Sequence, residues 1–508
     1  MTPTPPDHDC AWTQAAQSRI ADLEAKVAEL QHTIELHSKH RFGSKREKMA
    51  TPDSELKKDG PGVDPAATAA LRGKGREAKN RLPIKPFLHL VAPDVAACCP
   101  HCKAGAMRPL GKGEVTRVVE HIPASFVIHE HTVQKMVCPT CEHIETAKSS
   151  LRRFGEQSQY GVSVVADLVA SKCLDAIPLY RLSARYGREG LRLHRSTMVD
   201  LFHRAATELG PLYAVLLARI ASLAVVQADE TVLKQQRGEK PGKAGNGWMW
   251  TFLADDGDHP LIAYRYSTNR SGATPVAVLG GTTGTLVVDA YTGYNHVTTP
   301  AGRDRAGCLA HARRYVFDAR KTAGVVADRG LALILEAYRV EHEALQRKVV
   351  GTMEHLALRQ TKGRAAMDAV KAWADGEQGK HLPKGPMGQA LGYIGNHWKE
   401  LTRYLDDVAI PIDNNRSEGA LRGIALGRKN FLFVGHEHAG QNAAILYSMM
   451  ATCVANKVNP EEWMRDVLLR VQTWPSDRVA ELLPDRWRPQ GALEPQPTPD
   501  EGTPIGTG

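Results

Sequence analysis

The sequence predicts a multidomain protein of the α+β class. Apolar residues recur at helical spacings of three and four in some segments, while other segments are short runs of β-branched and aromatic residues, so both helices and strands are expected. Two Cys-x-x-Cys pairs mark a separate small region. The chain has 508 residues, of which 42% are hydrophobic and 24% charged, and is long enough for several folded domains.

The charge balance favours a polyanionic partner. The formal net charge is +9 at pH 7, and basic surfaces gain affinity for nucleic acid by releasing counterions from phosphates. A mildly basic protein without such a partner is the alternative. The cysteines outside the two pairs are scattered, and the sequence has neither a signal-peptide pattern nor eighteen consecutive apolar residues. We therefore expect a cytoplasmic protein.

Residues 11–42 are predicted to form a zipper helix, because apolar residues there alternate at spacings of three and four. These residues are Ile20, Leu23, Val27, Leu30 and Ile34. Such a seam favours a homodimer or higher oligomer, and an amphipathic helix packed on its own domain is the alternative. Residues 43–84 are rich in Pro, Gly and Lys and are predicted to be a basic flexible linker.

Residues 85–146 are predicted to be a zinc-binding β domain. The two pairs are Cys99 with Cys102 and Cys138 with Cys141, separated by 35 residues that partly alternate apolar and polar side chains. Four thiolates select a tetrahedral structural zinc ion, and the alternation predicts short antiparallel strands between the pairs. Redox-active pairs and unrelated free thiols are the alternatives. The neighbouring Cys98 is a possible substitute for Cys99.

Residues 147–217 are predicted to be a helical, DNA-binding domain of the helix-turn-helix type. One helical segment covers residues 179–186, Gly187 and Gly190 interrupt the pattern, and a second segment begins near Ser196. An ordinary helical hairpin has the same pattern. Arginines favour the DNA-binding interpretation, and they are Arg181, Arg185, Arg188, Arg192 and Arg195.

Residues 218–321 are predicted to be the first segment of a ribonuclease H-like α/β core. The pattern gives a strand running into Asp229, a hairpin from strands at 248–253 and 261–266, a helix near 275–279, and a strand at 285–288 that ends at Asp289. This order, β-β-β-α-β followed by a helix, is the one that the ribonuclease H fold requires. The remaining predicted segments are a helical insertion (322–405), a second core segment with C-terminal helices (406–475) and a disordered tail (476–508).

Asp229 and Asp289 are candidate metal ligands. Each follows a run of apolar and β-branched residues, so each is expected at the C-terminal end of a buried strand, and the two carboxylates converge if the strands are neighbours. Carboxylate oxygens suit Mg²⁺ or Mn²⁺, and two such ions support displacement at phosphorus. Glu230 is expected to point to the opposite side of its strand and is the weaker candidate.

Glu418 is the candidate third carboxylate. Asp413 or Asn414 can cap the start of a helix, which places Glu418 about one turn in and Arg422 beside it at i+4. A surface ion pair between Glu418 and Arg422 is the alternative interpretation. Basic residues at 313–314 and 428–429 suit contacts with DNA phosphates, and ordinary solvated charge is the alternative for them.

Taken in order, these motifs resemble the insertion-sequence-66 family of bacterial transposases over roughly residues 15–475. The matching segments, besides the zipper helix and the cysteine pairs, are FGSKREK at 42–48, LYR at 179–181, ADET at 228–231, DAYTGY at 289–294, CLAHARR at 308–314, LTRYL at 401–405, IDNN at 412–415 and GRKN at 427–430.

The resemblance implies a DDE transposase with a ribonuclease H-like core that cuts the ends of an insertion sequence and joins the freed 3′-hydroxyl to target DNA. It implies the catalytic triad Asp229, Asp289 and Glu418, with Mg²⁺ or Mn²⁺ as cofactor beside Zn²⁺. It implies double-stranded DNA, both terminal inverted repeats and target, as a partner, two small accessory proteins as further partners, and a nucleoid location when bound. The predicted DNA contacts are Arg185, Arg195, Arg313, Arg314, Arg422, Arg428 and Lys429.

Two positions depart from the family pattern. Gly419 stands where an arginine usually follows the catalytic glutamate, and Leu309 stands where a tryptophan is usual. These departures keep open a catalytically impaired, transposase-derived DNA-binding protein as the alternative function. A structure-specific nuclease without joining activity is a third hypothesis.

Overall fold

The computed structural model describes residues 84–111, 113–122, 125–148, 153–155, 158–236 and 244–489. The predicted zipper helix and all but the last residue of the predicted linker lie outside the described residues. Within the described stretches of the chain, no helix combines the length and the apolar character that crossing a membrane requires.

The described strands, in chain order, are β1 (Ile84–His89), β2 (Arg108–Pro109), β3 (Glu114–Ile122), β4 (Ser125–Val133), β5 (Lys135–Val137), β6 (Ile144–Thr146), β7 (Val225–Val232), β8 (Gln235–Gln236), β9 (Ala244–Gly245), β10 (Trp248–Asp256), β11 (His259–Ser267), β12 (Gly284–Val288) and β13 (Arg303–Gly307).

The described α-helices are α1 (Pro93–Ala97), α2 (Val162–Cys173), α3 (Leu179–Arg188), α4 (Arg195–Glu208), α5 (Gly210–Ser222), α6 (Ala273–Leu279), α7 (Leu309–Asp318), α8 (Gly324–Gln346), α9 (Met353–Leu358), α10 (Arg364–Glu377), α11 (Pro386–Asn396), α12 (Trp398–Thr402), α13 (Asn415–Ala420), α14 (Arg422–Phe431), α15 (Glu437–Ala455) and α16 (Pro460–Arg470). The 3₁₀ segments are Thr292–His296, Ala319–Lys321, Arg403–Asp406 and Ser476–Leu482, and Arg359–Gly363 is a π-helical turn.

The described residues form a mixed α+β protein that divides into two compact units. One unit contains Ala224–Ala228 and Gly280–Arg416, and the other contains the remaining described residues. Strand β7 therefore starts in the first unit and ends in the second. We refer to the unit with Gly280–Arg416 as the helical unit and to the other as the zinc-containing unit, for the cysteine quartet described below.

In the helical unit, β7 begins a parallel arrangement with two further strands. Residue pairs Val225 with Thr285 and Gln227 with Val287 align β7 with β12, and β12 pairs in parallel with β13. Gly284 permits this close approach, because a Cβ there would lie 2.3 Å from the carbonyl oxygen of Ala224 and its φ is +109°. The first strand pair therefore depends on a glycine at the start of β12.

Helices α7, α8, α10 and α11 supply most of the core of the helical unit. Its buried apolar residues include Leu309, Ile334, Trp373, Met387 and Ile412, as expected for helices whose apolar faces pack on one another. Residues 324–406 are helical apart from short connections, and the bounds 322–405 of the helical insertion stay a prediction. Strand β13, which the sequence pattern did not predict, precedes these helices.

In the zinc-containing unit, β10 and β11 form the predicted hairpin. They pair antiparallel from Trp248 with Ser267 to Asp256 with His259, and Gly257, with a φ of +62°, stands in the two-residue turn. Strand β10 lies between β11 and β7, so the strand order in this unit is β11-β10-β7. Between β7 and α7, the short strands β8, β9 and β13 are additions to the predicted order β-β-β-α-β with a subsequent helix.

The segment around the cysteines contains the predicted antiparallel strands. Strand β4 pairs antiparallel with β3 and parallel with β1, while β2, β5 and β6 form a second small sheet. Downstream, α2 to α5 form the helical segment. Helix α3 continues through Gly187 to Arg188 and the turn comes at Gly190, with a φ of +91°, so only the second of the two predicted glycine breaks is correct.

Ordered packing extends into the region predicted as a disordered tail from residue 476. Ser476–Leu482 form a 3₁₀ helix, Leu482 and Leu483 are fully buried, and the Trp463 indole N–H donates to the Leu482 carbonyl oxygen at 2.9 Å. The apolar residues of this stretch pack into the protein, although the overall composition of residues 476–508 predicted disorder. Residues 490–508 lie outside the described residues.

Candidate metal centres and DNA-contacting residues

The four predicted zinc ligands come together in the zinc-containing unit. The Sγ atoms of Cys99, Cys102, Cys138 and Cys141 all lie within 4.8 Å of one another. Cys99 Sγ is 3.9 Å from Cys141 Sγ, and Cys102 Sγ is 3.3 Å from Cys138 Sγ. A tetrahedral ion with Zn–S bonds of about 2.3 Å places its sulfurs roughly 3.8 Å apart. The quartet therefore fits zinc.

The two cysteine pairs have the same backbone construction. In the first, the Lys103 N–H donates to the Cys99 carbonyl oxygen at 2.9 Å, and in the second the Glu142 N–H donates to the Cys138 carbonyl oxygen at 2.9 Å. Lys103 and Glu142 both have positive φ, of 53° and 54°. This repeated turn directs both sulfurs of each pair to one point, which is how a structural zinc site closes.

Burial distinguishes Cys99 from the neighbouring Cys98 as a member of the quartet. Cys99 is fully buried, whereas Cys98 is exposed and lies outside the quartet. A backbone N–H of Cys141 that donates to the Cys138 sulfur lowers the pKa of the Cys138 thiol. The pKa values of the Cys102 and Cys141 thiols are instead raised, so the preference for the thiolate, which is the form that binds metal, lies at Cys138.

Asp229 lies within β7 and not at its end. It is the fifth of eight residues, because Glu230, Thr231 and Val232 continue the strand. The expectation of a strand-terminal position was therefore wrong for Asp229. Its Oδ1 accepts the N–H of Glu230 at 2.9 Å. The Glu230 carboxylate is buried and accepts the Arg270 guanidinium at 2.7 Å, so Glu230 is engaged in an ion pair of its own.

Asp289 follows directly after β12, as predicted. Its Oδ1 accepts the Tyr291 N–H at 2.9 Å, and Arg305 on β13 donates to the carbonyl oxygens of Asp289 and Tyr291. These bonds fix the turn after β12. Gln227 and Val287 are aligned Cα partners in the parallel strands β7 and β12. Asp229 comes two residues after Gln227, and Asp289 comes two residues after Val287.

The segment before Glu418 is fixed by Asp413 and Asn414. The Asp413 carboxylate accepts the Asn415 N–H at 3.1 Å and the Tyr338 hydroxyl at 3.0 Å, so Asp413 bonds to the first residue of α13. Asn414 is fully buried, and its amide donates to the carbonyl oxygen of Ala228 at 3.4 Å. The start of the Glu418 helix is thus bonded to the residue that precedes Asp229.

Glu418 lies half-buried in a helix that is shorter than predicted. Helix α13 ends at Ala420, and Arg422 begins the separate helix α14. The predicted single helix with Arg422 one turn beyond Glu418 is therefore wrong. The Tyr264 hydroxyl donates to the Ala420 carbonyl oxygen at 2.7 Å, which satisfies a backbone acceptor at the break.

Two predicted DNA-contacting residues line a cleft in the helical unit. Arg313 and Arg314 are exposed on α7 and border a cleft of about 500 Å³. The other lining residues are Ala310, Phe317, Leu335, Tyr338 and Asn415. A paired guanidinium surface beside apolar side chains suits a phosphate with an attached sugar or base.

The other predicted DNA-contacting residues differ in their surroundings. Arg195, Arg422 and Lys429 are exposed. Arg428 instead donates to the Thr231 hydroxyl and the Val232 carbonyl oxygen, both at 2.8 Å, at the end of β7. Arg185 forms an ion pair with the buried carboxylate of Asp167, which also accepts the Tyr186 hydroxyl at 2.5 Å. These two guanidinium groups already hold elements together within their unit.

Sequence reasoning missed Arg359, which is 2% exposed in the helical unit. Its guanidinium donates to both carboxylate oxygens of Glu341, at 2.9 and 2.7 Å. It also donates to the carbonyl oxygens of Tyr404, Asp407 and Ile410, at 2.8, 2.8 and 2.9 Å. Arg359 therefore shapes the loop that leads to Asp413, and nothing local in the sequence signals this role.

Three segments of the chain match one known protein family. Residues 157–442, more than half of the chain, match the family described as "Transposase IS66 family". Residues 96–142 match the "zinc-finger binding domain of transposase IS66", and residues 448–484 match the "IS66 C-terminal element". The range 96–142 contains all four cysteines of the quartet.

Relatives occur in Sinorhizobium fredii. Uncharacterized protein y4hP is 29% identical over 83% of this chain and 80% of the relative. Uncharacterized protein y4qI is 28% identical over 94% of this chain and 91% of the relative. The match over residues 157–442 assigns the chain: it belongs to the IS66 family of transposases, enzymes that cut and join DNA.

Proposed function

We propose that this protein is a DDE transposase that performs Mg²⁺-dependent cleavage and strand transfer at the ends of an insertion sequence, with Asp229, Asp289 and Glu418 as metal ligands. The observation that carries the proposal is the parallel pairing of β7 with β12, in which each aspartate follows a paired residue by two positions. The strand and helix order supports a ribonuclease H-like core for the same segment.

The proposal for Glu418 is supported by the bond from Asn414 to Ala228. That bond joins the start of α13 to the residue before Asp229, and Glu418 comes four residues, about one helical turn, after Asn414. Asp413 holds the first turn through the Asn415 N–H. This connection supports the proposal that Glu418 and Asp229 contribute to one metal site.

The donor set suits a hard divalent cation. Carboxylate oxygens are preferred by Mg²⁺ and Mn²⁺. Asp229 and Asp289 each have one oxygen held by a backbone N–H, so the protein orients both carboxylates through its own backbone. Two ions bound by such carboxylates would supply Lewis acidity at the phosphate and stabilise charge on the attacking and departing oxygens.

The reaction that this arrangement supports is in-line attack on phosphorus, first by water and then by the freed 3′-hydroxyl, without a covalent protein intermediate. Side chains of the protein must hold the DNA in position for this attack. We propose that Arg313 and Arg314 in the cleft, with the exposed Arg195, Arg422 and Lys429, contact phosphates.

We propose that Arg428 and Arg185 support these surfaces through their internal bonds and so act indirectly on DNA. Self-association through the zipper helix, assembly with two small accessory proteins, and a bacterial cytoplasmic location at the nucleoid belong to the same proposal. The zinc quartet is structural in it, since all four ligand positions are occupied by protein thiolates.

A strand-transfer assay with duplex DNA carrying the terminal repeats tests the proposal. Asp229→Asn, Asp289→Asn and Glu418→Gln are each expected to bind the DNA like the unchanged protein and to lose nearly all cleavage and joining. Glu230→Gln is the matched control with respect to metal binding. Retained activity in any of the first three variants would remove that residue from the metal site.

The catalytically impaired alternative makes a different prediction for the unchanged protein, which would then shift the same DNA but never nick it with Mn²⁺ present. The departures at Leu309 and Gly419 fit the fold without strain. Leu309 is buried in the helical core and bonded through its N–H to Ile412 at 3.1 Å, and the space around a Cβ at Gly419 is open. The fold therefore offers no steric reason for lost activity.

A further inference from the structure

A strained turn follows the last helix turn of α14. Leu432 has a φ of 64° and a ψ of −42°, and the Phe433 N–H donates to the Phe431 carbonyl oxygen at 2.7 Å. This is a γ-turn centred on a positive φ, a rare and strained conformation that a residue with a branched side chain disfavours. The chain therefore maintains an unfavourable backbone at Leu432.

Burial of apolar surface does not explain the strain. Leu432 is 57% exposed and Phe433 is 42% exposed. Two adjacent large apolar side chains thus project from a strained turn into solvent, where they gain little from the hydrophobic effect. Backbone strain that the fold retains without local benefit is characteristic of functional positions.

The turn is held firmly on both sides. After it, the Val434 N–H donates to the Lys234 carbonyl oxygen at 2.8 Å, and the Gln236 N–H donates to the Val434 carbonyl oxygen at 2.9 Å. Before it, Arg428 bonds to the end of β7. The two side chains are therefore fixed relative to the strand that carries Asp229, within the same unit.

The charge around the turn is positive. Between Glu418 and Glu437 the chain contains no aspartate or glutamate, and the lysine and arginine residues of this stretch are Arg422, Arg428 and Lys429. Arg422 and Lys429 are exposed, as is Lys234, whose backbone bonds to the residue after Phe433. An apolar tip among cations is complementary to the stacked bases and flanking phosphates of DNA, since apolar wedges enter base steps while cations contact the backbone.

We propose that Leu432 and Phe433 form a wedge that inserts into the base stack of the DNA and unstacks one base step. This inference rests on the proposed function, because it requires the protein to bind DNA at the Asp229 strand. Insertion stabilises the distorted DNA by apolar and stacking contacts, and the rigid γ-turn keeps both side chains projected before the DNA arrives.

Fluorescence of 2-aminopurine tests the wedge. The probe is a duplex carrying the terminal inverted repeat that flanks the coding region, with 2-aminopurine at successive adenines, bound to the full chain in Ca²⁺. The unchanged protein is expected to raise the fluorescence several-fold at one step. Leu432→Ala and Phe433→Ala are expected to abolish that rise and to weaken binding roughly tenfold, as for loss of one stacked contact.

Leu426→Ala is the matched control, because Leu426 is also 57% exposed but lies within regular helix α14. It is expected to behave like the unchanged protein. Leu432→Gly separates the wedge from a purely structural role, since glycine relieves the strain and raises the melting temperature yet removes the side chain. The wedge requires this variant to lose the fluorescence rise.

The outcomes separate the wedge from the proposed function. Cleavage and joining by the unchanged protein with no fluorescence rise at any position would overturn the wedge and leave the proposed function intact. Absence of any DNA binding would overturn both. A change in oligomeric state in Leu432→Ala and Phe433→Ala, with the fluorescence rise retained, would overturn the wedge and make the turn a contact between copies of the chain.

Discussion

Replacement of Arg359 by methionine is expected to destabilise the helical unit strongly. The Arg359 side chain is fully buried, and its guanidinium contacts five acceptors. Two are the carboxylate oxygens of Glu341, and three are carbonyl oxygens between residues 404 and 410 that share the two hydrogens of Nη1. Methionine preserves most of the apolar stem but none of the donors. The variant therefore leaves the Glu341 carboxylate without this partner. The three carbonyl oxygens of the loop stay buried and lose their hydrogen-bond donor.

The expected loss is large. Removing one partner of a buried ion pair costs about 3–5 kcal/mol, and each buried carbonyl left without a donor adds roughly 1 kcal/mol or more. Water reaches Glu341, whose side chain is 21% exposed, and this reduces the sum. We expect a loss of about 5 kcal/mol in the free energy of unfolding, which lowers the melting temperature by roughly 10–20 °C in a unit of this size.

Calorimetry of the zinc-loaded full chain measures this effect. Arg364→Met is the matched control, because Arg364 lies five residues away and forms an exposed ion pair with Asp406, and such pairs contribute about 0–1 kcal/mol. A decrease of less than about 3 °C for Arg359→Met, or equal decreases for the two variants, would refute the assignment of Arg359 as the anchor of this loop.

Three further predictions concern the zinc quartet, helix α13 and pH. Cys138→Ser is expected to lose the single zinc equivalent while Cys98→Ser keeps it, and metal analysis of the purified variants decides between them. Gly419→Ala is expected to raise the free energy of unfolding by about 0.5–1 kcal/mol, because the space around this helix position is open. Gly284→Ala is expected to lower the free energy of unfolding, because Gly284 has a positive φ and a close backbone neighbour. Urea midpoints that move in the same direction for the two variants would contradict this prediction. Burial, with repulsion from neighbouring imidazoles, lowers the pKa of His131 from 6.5 to about 4. Between about pH 6.5 and 4, His131 is therefore protonated in the unfolded chain and neutral in the folded chain. The free energy of unfolding falls as the pH drops through this range, and the contribution of His131 stays constant below about pH 4. His131→Asn should flatten that portion of the profile of urea midpoint against pH, and an unchanged profile would disprove the assignment.

The cysteine quartet was predictable because its signal is local. Each pair presents two sulfurs from one tight turn, and the residues between Cys102 and Cys138 showed the alternation of a hairpin. The β10–β11 hairpin and the strand before Asp289 were predictable for the same reason, since their apolar runs and turn residues lie next to one another in the sequence.

Strand β13 was missed because its sequence, RDRAG, has no β-branched or aromatic residue. Its conformation comes from pairing along the whole of β12, and Arg303 is accommodated inside by bonds to the Thr282 hydroxyl at 2.9 Å and the Thr285 carbonyl oxygen at 3.3 Å. A charged residue at a buried strand position is visible only when its distant partners are known.

The bonds that support the candidate site also connect distant regions of the chain. Asn414 bonds to Ala228, 186 residues away, and Arg428 bonds to Thr231, 197 residues away. The sequence identified Asn414 as a helix cap and Arg428 as a DNA contact, because only neighbouring residues could be considered. Tertiary contacts gave both side chains bonding partners that no local pattern predicts.

The most direct test of the central claim replaces Mg²⁺ by Fe²⁺ in the zinc-saturated protein and adds hydrogen peroxide and ascorbate. The bound Fe²⁺ reduces the peroxide to hydroxyl radicals, ascorbate regenerates Fe²⁺, and the resulting backbone cuts are mapped. If Asp229, Asp289 and Glu418 hold the same metal ions, cuts are expected near all three residues and should disappear together in Asp289→Asn. Cuts near the two aspartates with none near Glu418, or an unchanged pattern in Asp289→Asn, would contradict the shared metal site.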